Sequence, residues 1–276
     1  MTMEMNEIPC AMHALQTRSV TLKYDSHVVI DSISVDIPRG KITVLIGSNG
    51  CGKSTMLKAF GRLLTPASGQ VLLNGKDIQR YPTAKVAHEV AVLPQTPIVP
   101  EGVTVFQLAC LGRYPHQSWW QQWTREDEAA VDRALQQTQL TQLKSRRVDS
   151  LSGGQRQRAW IAMTLAQDTN TLLLDEPTTY LDLAHQIDVL DLLYDLNIQQ
   201  NKTIVMVLHD LNLACRYAHH IIALNNGSVY AQGAPEQIMN APMVKAVFGL
   251  GCQIVADPLY GSPMCIPMGK GRTYGQ

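Results

Sequence analysis

The chain alternates between two textures. Short, nearly continuous apolar runs occupy residues 42–46, 171–174 and 203–208. Runs of that length without a polar face predict strands buried on both sides, the habit of a parallel sheet. Helical stretches at 54–63, 183–199 and 210–217 follow these runs. Such alternation predicts an α/β fold whose sheet is covered by helices on both faces. Upstream, 20–24 and 28–37 read as strands and Pro38-Arg39-Gly40 as a turn. Downstream of the first helix, 66–69 is a second turn, and 71–73 is a short strand closed by Asn74-Gly75, a hairpin signal. From about 97 to 150 the texture becomes helical, with helix-like stretches at 104–112 and 125–140 and no strand pattern. This middle reads as a helical insertion in an α/β core. Residues 1–15 read as a frayed arm and 262–276 as a tail.

Composition narrows the field. Hydrophobic residues make up 45% of the 276, enough for a sizeable core, and the formal net charge is zero. A whole-chain basic field for nucleic acid or anionic lipid is therefore not expected. No apolar run approaches the roughly 18 residues needed to span a bilayer. The first twenty residues carry acidic groups where a signal peptide has a basic region, so a cytosolic chain is expected. The six cysteines, at 10, 51, 110, 215, 252 and 265, show no CxxC spacing, and reduced thiols are expected.

Three segments carry chemistry. Gly47-Ser48-Asn49-Gly50-Cys51-Gly52-Lys53-Ser54 fits GxxxxGK[ST], between a predicted strand and a predicted helix. Its glycines let backbone N–H groups turn toward phosphate oxygens, and the helix adds the positive end of its dipole. Lys53 is placed to reach the β- and γ-phosphates, Ser54 to ligate Mg²⁺, and Thr55 to support the α-phosphate. The apolar run 171–174 ends in Asp175-Glu176. In this context Asp175 is a candidate Mg²⁺ holder and Glu176 a candidate general base. Leu151-Ser152-Gly153-Gly154-Gln155 reads as a polar turn opening a helix, a second anion-binding surface in one chain.

Leu151–Gln155 matches the LSGGQ signature, and beside a P-loop it makes the chain resemble the ABC (ATP-binding cassette) ATPases from about residue 18 to 261. The resemblance implies a P-loop NTPase (RecA-like) core with a mostly parallel sheet, an N-terminal antiparallel β subdomain and a helical insertion at about 97–165, in one domain of residues 16–261. It implies ATP and Mg²⁺ as ligands. Tyr24 resembles the aromatic that stacks on adenine, and Gln95 the glutamine that contacts Mg²⁺ and the attacking water. Leu181-Asp182 matches the D-loop, and His209 the switch histidine near the γ-phosphate. The family's head-to-tail homodimer would bring Ser152, Gly153, Gly154 and Gln155 over a second copy's nucleotide.

Finer resemblance concerns cargo. Residues 176–186, Gly112-Arg113-Tyr114-Pro115-His116 and Tyr260-Gly-Ser-Pro-Met are similar to the iron–siderophore importer branch, such as the ferric enterobactin ATPases. That branch implies separate permease subunits, an extracytoplasmic binding protein and a place on the cytoplasmic face of the membrane. Vitamin B12, haem and zinc importers are close relatives. A soluble ABC ATPase or a P-loop kinase are the alternatives, and the kinase leaves LSGGQ, Gln95 and His209 unexplained. Trp119, Trp120 and Trp123 fit either a docking surface or internal packing, and Cys51 either a reactive thiol or a small tolerated side chain.

Overall fold

The computed structural model describes residues 12–97, 101–117 and 123–270. Antiparallel strands come first: β1 (His13–Tyr24) pairs with β2 (His27–Ile33) and β3 (Asp36–Pro38). The chain then enters β4 (Ile42–Gly47) and α1 (Lys53–Phe60), and returns to the first sheet as β5 (Ser68–Leu73) and β6 (Lys76–Asp77). Asn74-Gly75 makes the turn between these two, both residues with positive φ, as the hairpin signal predicts. Next come α2 (Thr83–Glu89) and β7 (Val90–Leu93), and then the helical stretch of α3 (Val105–Leu111), α4 (Arg125–Gln137) and α5 (Gly153–Ala166). The alternation resumes with β8 (Thr171–Leu174), α6 (Leu183–Gln200), β9 (Thr203–Val207), α7 (Leu211–Tyr217), β10 (His220–Asn225) and β11 (Ser228–Gly233). Short helices α8 (Pro235–Ile238) and α9 (Ala241–Phe248) lead to a closing hairpin, β12 (Cys252–Ala256) and β13 (Pro263–Pro267).

The central sheet has the order β11-β10-β4-β9-β8-β7, parallel throughout except for the β10–β11 edge. Strands β4, β9 and β8 are buried along their whole length, which is why they read as unbroken apolar runs. Period-two alternation divides them between two cores. Ile42, Val44, Ile46, Leu172, Leu174, Ile204 and Met206 face the helices α3 to α7. Leu45, Leu173, Val205 and Val207 face α1 and the antiparallel sheet. The C-terminal ends of β4 and β8 therefore open on one edge between the layers, where the P-loop and Asp175-Glu176 sit.

The helical stretch is fastened by polar contacts. Its three helices each start with a capping box, at Thr104/Gln107, Thr124/Asp127 and Ser152/Gln155. The Gly112–His116 fingerprint is structural. Arg113 Nε donates to Asp127 Oδ1 at 2.8 Å and its Nη1 donates to the Ala166 carbonyl at 2.9 Å, while His116 Nε2 donates to the Gln167 carbonyl at 2.8 Å. Burial alone would raise the Asp127 pKa, but the hydrogen bonds from Arg113 and Thr124 outweigh it and hold the carboxyl below its ordinary value. The Arg113 and Asp127 side chains are only 7% and 5% exposed. Arg113→Ala leaves a buried carboxylate without its cation and is expected to cost about 3–5 kcal/mol of unfolding free energy, measured by urea titration. A depressed carboxylate contributes stability above its unfolded pKa and loses it as pH falls through the native value. The difference between parent and variant is therefore expected to shrink on acidification.

The ends differ from the sequence reading. The arm expected over 1–15 does not hold for its last residues, since β1 begins at His13 and Leu15 pairs with both Ile37 and Leu73. Residues 1–11 lie outside the described ones. The expected tail at 262–276 contains β13, and Arg216 holds the hairpin through Asp257 at 2.8 Å and through its guanidinium 4.3 Å from the Tyr260 ring centroid. The first helix ends at Phe60 rather than 63. Trp119 and Trp120 lie outside the described residues, and Trp123 is exposed. Among the described residues no helix is long and apolar enough to cross a membrane.

Candidate functional site

β4 delivers the chain into the glycine-rich loop at Gly47. Gly52 caps α1 with φ 104°, a left-handed conformation that side chains resist, and no side chain caps the helix. The first N–H groups of α1 are thus free to meet an anion, with the helix dipole behind them. Lys53 Nζ donates to the carbonyls of Gly47 at 2.8 Å and Ser48 at 3.0 Å. Its residue is 6% exposed, and it forms no ion pair among the described residues. A buried ammonium held by two carbonyls and the Cys51 sulfur at 3.9 Å, with no carboxylate paired to it among the described residues, favours an anionic partner. Asn49, Gly50, Gly52, Lys53, Ser54 and Thr55 form one wall of a cavity of about 530 Å³. Gly47 and Ser48 lie outside its lining. Cys51 is buried in the apolar core under the loop, which favours the reading of a small packed side chain over a reactive thiol.

β8 supplies the acidic side. Ser54 Oγ donates to Asp175 Oδ1 at 2.9 Å. Burial pushes the Asp175 pKa up, the adjacent Glu176 adds to this, and the Ser54 hydroxyl opposes it without prevailing. A hydroxyl and a buried carboxylate converging in this way form an oxygen donor set suited to a hard divalent cation such as Mg²⁺.

Glu176 has φ 52°, a left-handed conformation that costs a non-glycine residue about 1–3 kcal/mol. The surroundings hold it there. Gln95 Nε2 donates to its Oε2 at 2.7 Å, Thr179 Oγ1 to the same oxygen at 2.8 Å, and His209 Nε2 lies 2.7 Å from Oε1. Because a carboxylate only accepts, His209 carries its proton on Nε2. Burial acts to raise the Glu176 pKa, but the donors His209, Thr179 and Gln95 outweigh it and keep the carboxyl below its ordinary value. The result is a charged acceptor facing the cavity that Lys53 and Ser54 also line.

The fold thus gathers Asn49, Gly50, Gly52, Lys53, Ser54, Thr55, Gln95, Glu176 and His209 around one cavity, with Asp175 bonded to Ser54 and Cys51 turned into the core below. It does not bring the other candidates there. Tyr24 stands at the end of β1, 42% exposed, with Lys58 Nζ donating to its hydroxyl at 3.4 Å. Ser152 caps α5 and accepts from Gln155 N, and neither they nor Gly153 and Gly154 line the cavity. Asp182 caps α6 and also lies outside it. Sequence reasoning missed Thr179, Tyr180 and Val29, all in the lining. Thr179, three residues after Glu176 in a Thr-Thr pair, had a local signal, whereas Val29 had none.

This constellation on a parallel sheet defines a P-loop nucleoside triphosphatase. A family described as ABC transporter matches residues 30–179. The achromobactin transport ATP-binding protein of Dickeya dadantii (strain 3937) is 61% identical, over 95% of this chain and 97% of its own. The ferric enterobactin transport ATP-binding protein of Escherichia coli (strain K12) is 50% identical, over 93% and 94%. Among solved structures, a metal-chelate type ABC transporter in an inward-facing conformation superposes with TM-score 0.82 at 30% identity, covering 94% of this chain and 98% of that one. The chain belongs to the ABC transporter family, and its chemistry is ATP hydrolysis.

Proposed function

We propose that this chain is the energy-coupling ATPase of an importer for iron(III)–siderophore complexes. It works as a homodimer on the cytoplasmic face of the membrane, against separate permease subunits served by an extracytoplasmic binding protein. The cassette is one domain with the helical stretch of about 97–165 inserted. The observation that carries the dimer is the separation of the two anion-binding turns: the signature at Ser152 has no part in the cavity that the P-loop lines. One chain then serves two nucleotides, its own and a second copy's. The cargo reading rests on the relatives, which are named for achromobactin and ferric enterobactin transport.

The residues divide the work as follows. The α1 N–H groups and Lys53 hold the β- and γ-phosphates, and Thr55 supports the α-phosphate. Tyr24 stacks on the adenine. Ser54, Asp175 and Gln95 would hold Mg²⁺, which would neutralise charge developing on the β- and γ-phosphates. Glu176 polarises the attacking water as general base, its carboxyl held below its ordinary value by His209, Thr179 and Gln95. His209 fixes that carboxylate and faces the γ-phosphate. Ser152, Gly153, Gly154 and Gln155 close over the partner's nucleotide, and Asp182 lines the seam. Closure and reopening of the dimer bias the permease between two states.

Disulfide trapping tests the shared site. A Ser48→Cys/Ser152→Cys chain is expected to form ATP-dependent cross-links between two chains, seen as a dimer on non-reducing gels. Cross-links only within one chain refute it. Loss of radioactive ferric-siderophore uptake in cells lacking this chain tests the cargo, and unchanged iron uptake with lost uptake of another chelate would reassign it.

A further inference from the structure

Within one chain the signature turn touches the segment that follows Glu176. A β-carbon on Gly153 would stand 3.8 Å from Leu181 Cδ2 and 4.0 Å from the Tyr180 carbonyl oxygen. A β-carbon on Gly154 would stand 2.2 Å from His185 Cδ2 and 2.8 Å from its Cγ, so the imidazole occupies the space a side chain there would need. The ring is held in place. Its Nδ1 lies 2.6 Å from Asp182 Oδ1, the same oxygen that accepts from His185 N at 2.9 Å as the cap of α6. Gln186 Nε2 donates to the Leu181 carbonyl at 2.9 Å and straps the loop to its own helix. At the other end, Thr179 Oγ1 donates to the Glu176 carboxylate, and Tyr180 lines the nucleotide cavity, 93% exposed with φ 65°. The backbone from Glu176 to Asp182 is thus tied at one end to the Glu176 carboxylate through Thr179 and at the other, through Asp182 and His185, to Gly154.

We propose that His185 is a positioning residue that makes the signature turn and the Glu176–Asp182 segment of one chain move as a unit. It thereby couples the chain's own nucleotide to the one its signature covers in a second copy. The inference rests on the shared-site reading above. Glu176 and its loop respond to the nucleotide in their own cavity. The ring wedged against Gly154 passes that displacement to the first turn of α5, where the partner's phosphates would bind. Coupling of this kind appears as cooperativity in ATP, with a Hill coefficient that can rise to about 2 for two sites. A control lies one turn further along the same helix pair, where Arg158 Nη2 meets Asp188 Oδ2 at 2.6 Å on the surface, away from the signature.

The test compares three variants of the full-length chain by steady-state ATPase rate against ATP concentration, with nucleotide affinity from titration of a fluorescent ATP analogue. His185→Ala is expected to lower the Hill coefficient to about 1 and kcat by about fivefold or more. Affinity at its own P-loop should change by less than about twofold, because no P-loop contact is touched. His185→Asn keeps an amide donor for Asp182 and is expected to recover most of both losses. Asp188→Asn opens only an exposed ion pair and is expected to keep both within about twofold of the parent. A His185→Ala chain with parental kcat and Hill coefficient overturns the proposal. So does a parental Hill coefficient of about 1, or an Asp188→Asn chain that shows the same losses, which would reduce His185 to ordinary helix packing. If His185→Ala does not fold, His185→Asn with poor kcat but parental cooperativity also overturns it. The Ser48→Cys/Ser152→Cys cross-link separates the two failures. Its absence between chains of the parent sinks the shared site, whereas its presence with unchanged kinetics in His185→Ala sinks only the role of His185.

Discussion

Glu176→Gln is expected to bind ATP, to lose turnover by about 10²-fold or more and to accumulate as an ATP-bound dimer. The substitution preserves size and removes the charge that polarises water. It also disturbs a defined network. The parent carboxylate accepts on Oε2 from Gln95 and Thr179 and on Oε1 from His209. An amide offers one acceptor oxygen, so its NH₂ must face a donor on the other side. Gln95 can answer by turning its own amide, presenting oxygen instead of nitrogen. Binding survives because the phosphates are held by the P-loop, which the change does not touch. Turnover is read by phosphate release, and the dimer by size-exclusion chromatography with ATP. Turnover near the parent's would remove Glu176 from the role of base.

Lys53→Ala is expected to weaken ATP binding by about 10- to 100-fold, the scale of a lost charge-assisted hydrogen bond, and to lower hydrolysis with it. The ammonium is buried in the loop against the Gly47 and Ser48 carbonyls, so its removal also takes a donor from each of these oxygens. Equilibrium titration with a fluorescent ATP analogue measures the loss. Unchanged affinity and rate would mean that the phosphates sit elsewhere. The two variants separate binding from chemistry: Glu176→Gln keeps the first and loses the second, while Lys53→Ala loses both.

The same residues show what local sequence can and cannot carry. The P-loop is contiguous, and its geometry follows from the strand before it, the glycines within it and the helix after it. The Asp175-Glu176 end of β8 is equally local. The inner strands β4, β8 and β9 were readable because burial on both faces leaves an unbroken apolar run. Elements at the periphery left weaker marks. β7 is four residues long at one sheet edge, and β11, exposed on alternate positions, closes the other. The start of β1 at His13 depends on partners farther along the chain, Ile37 and Leu73, and such pairing has no local periodicity.

Sequence alone therefore determined the family, the phosphate-binding loop, the acidic pair and the existence of a second anion-binding turn, each written in a few adjacent residues. Tertiary structure decided which of these meet. Ser54 reaches Asp175 across 121 positions and Gln95 reaches Glu176 across 81, because parallel strands end side by side on one edge of the sheet. It also placed Thr179 on the carboxylate, set the His185 ring against Gly154 and left the signature outside the cavity of its own chain. Distances between side chains follow from strand order and helix packing, and these are set by burial summed over the whole chain rather than by any segment of it.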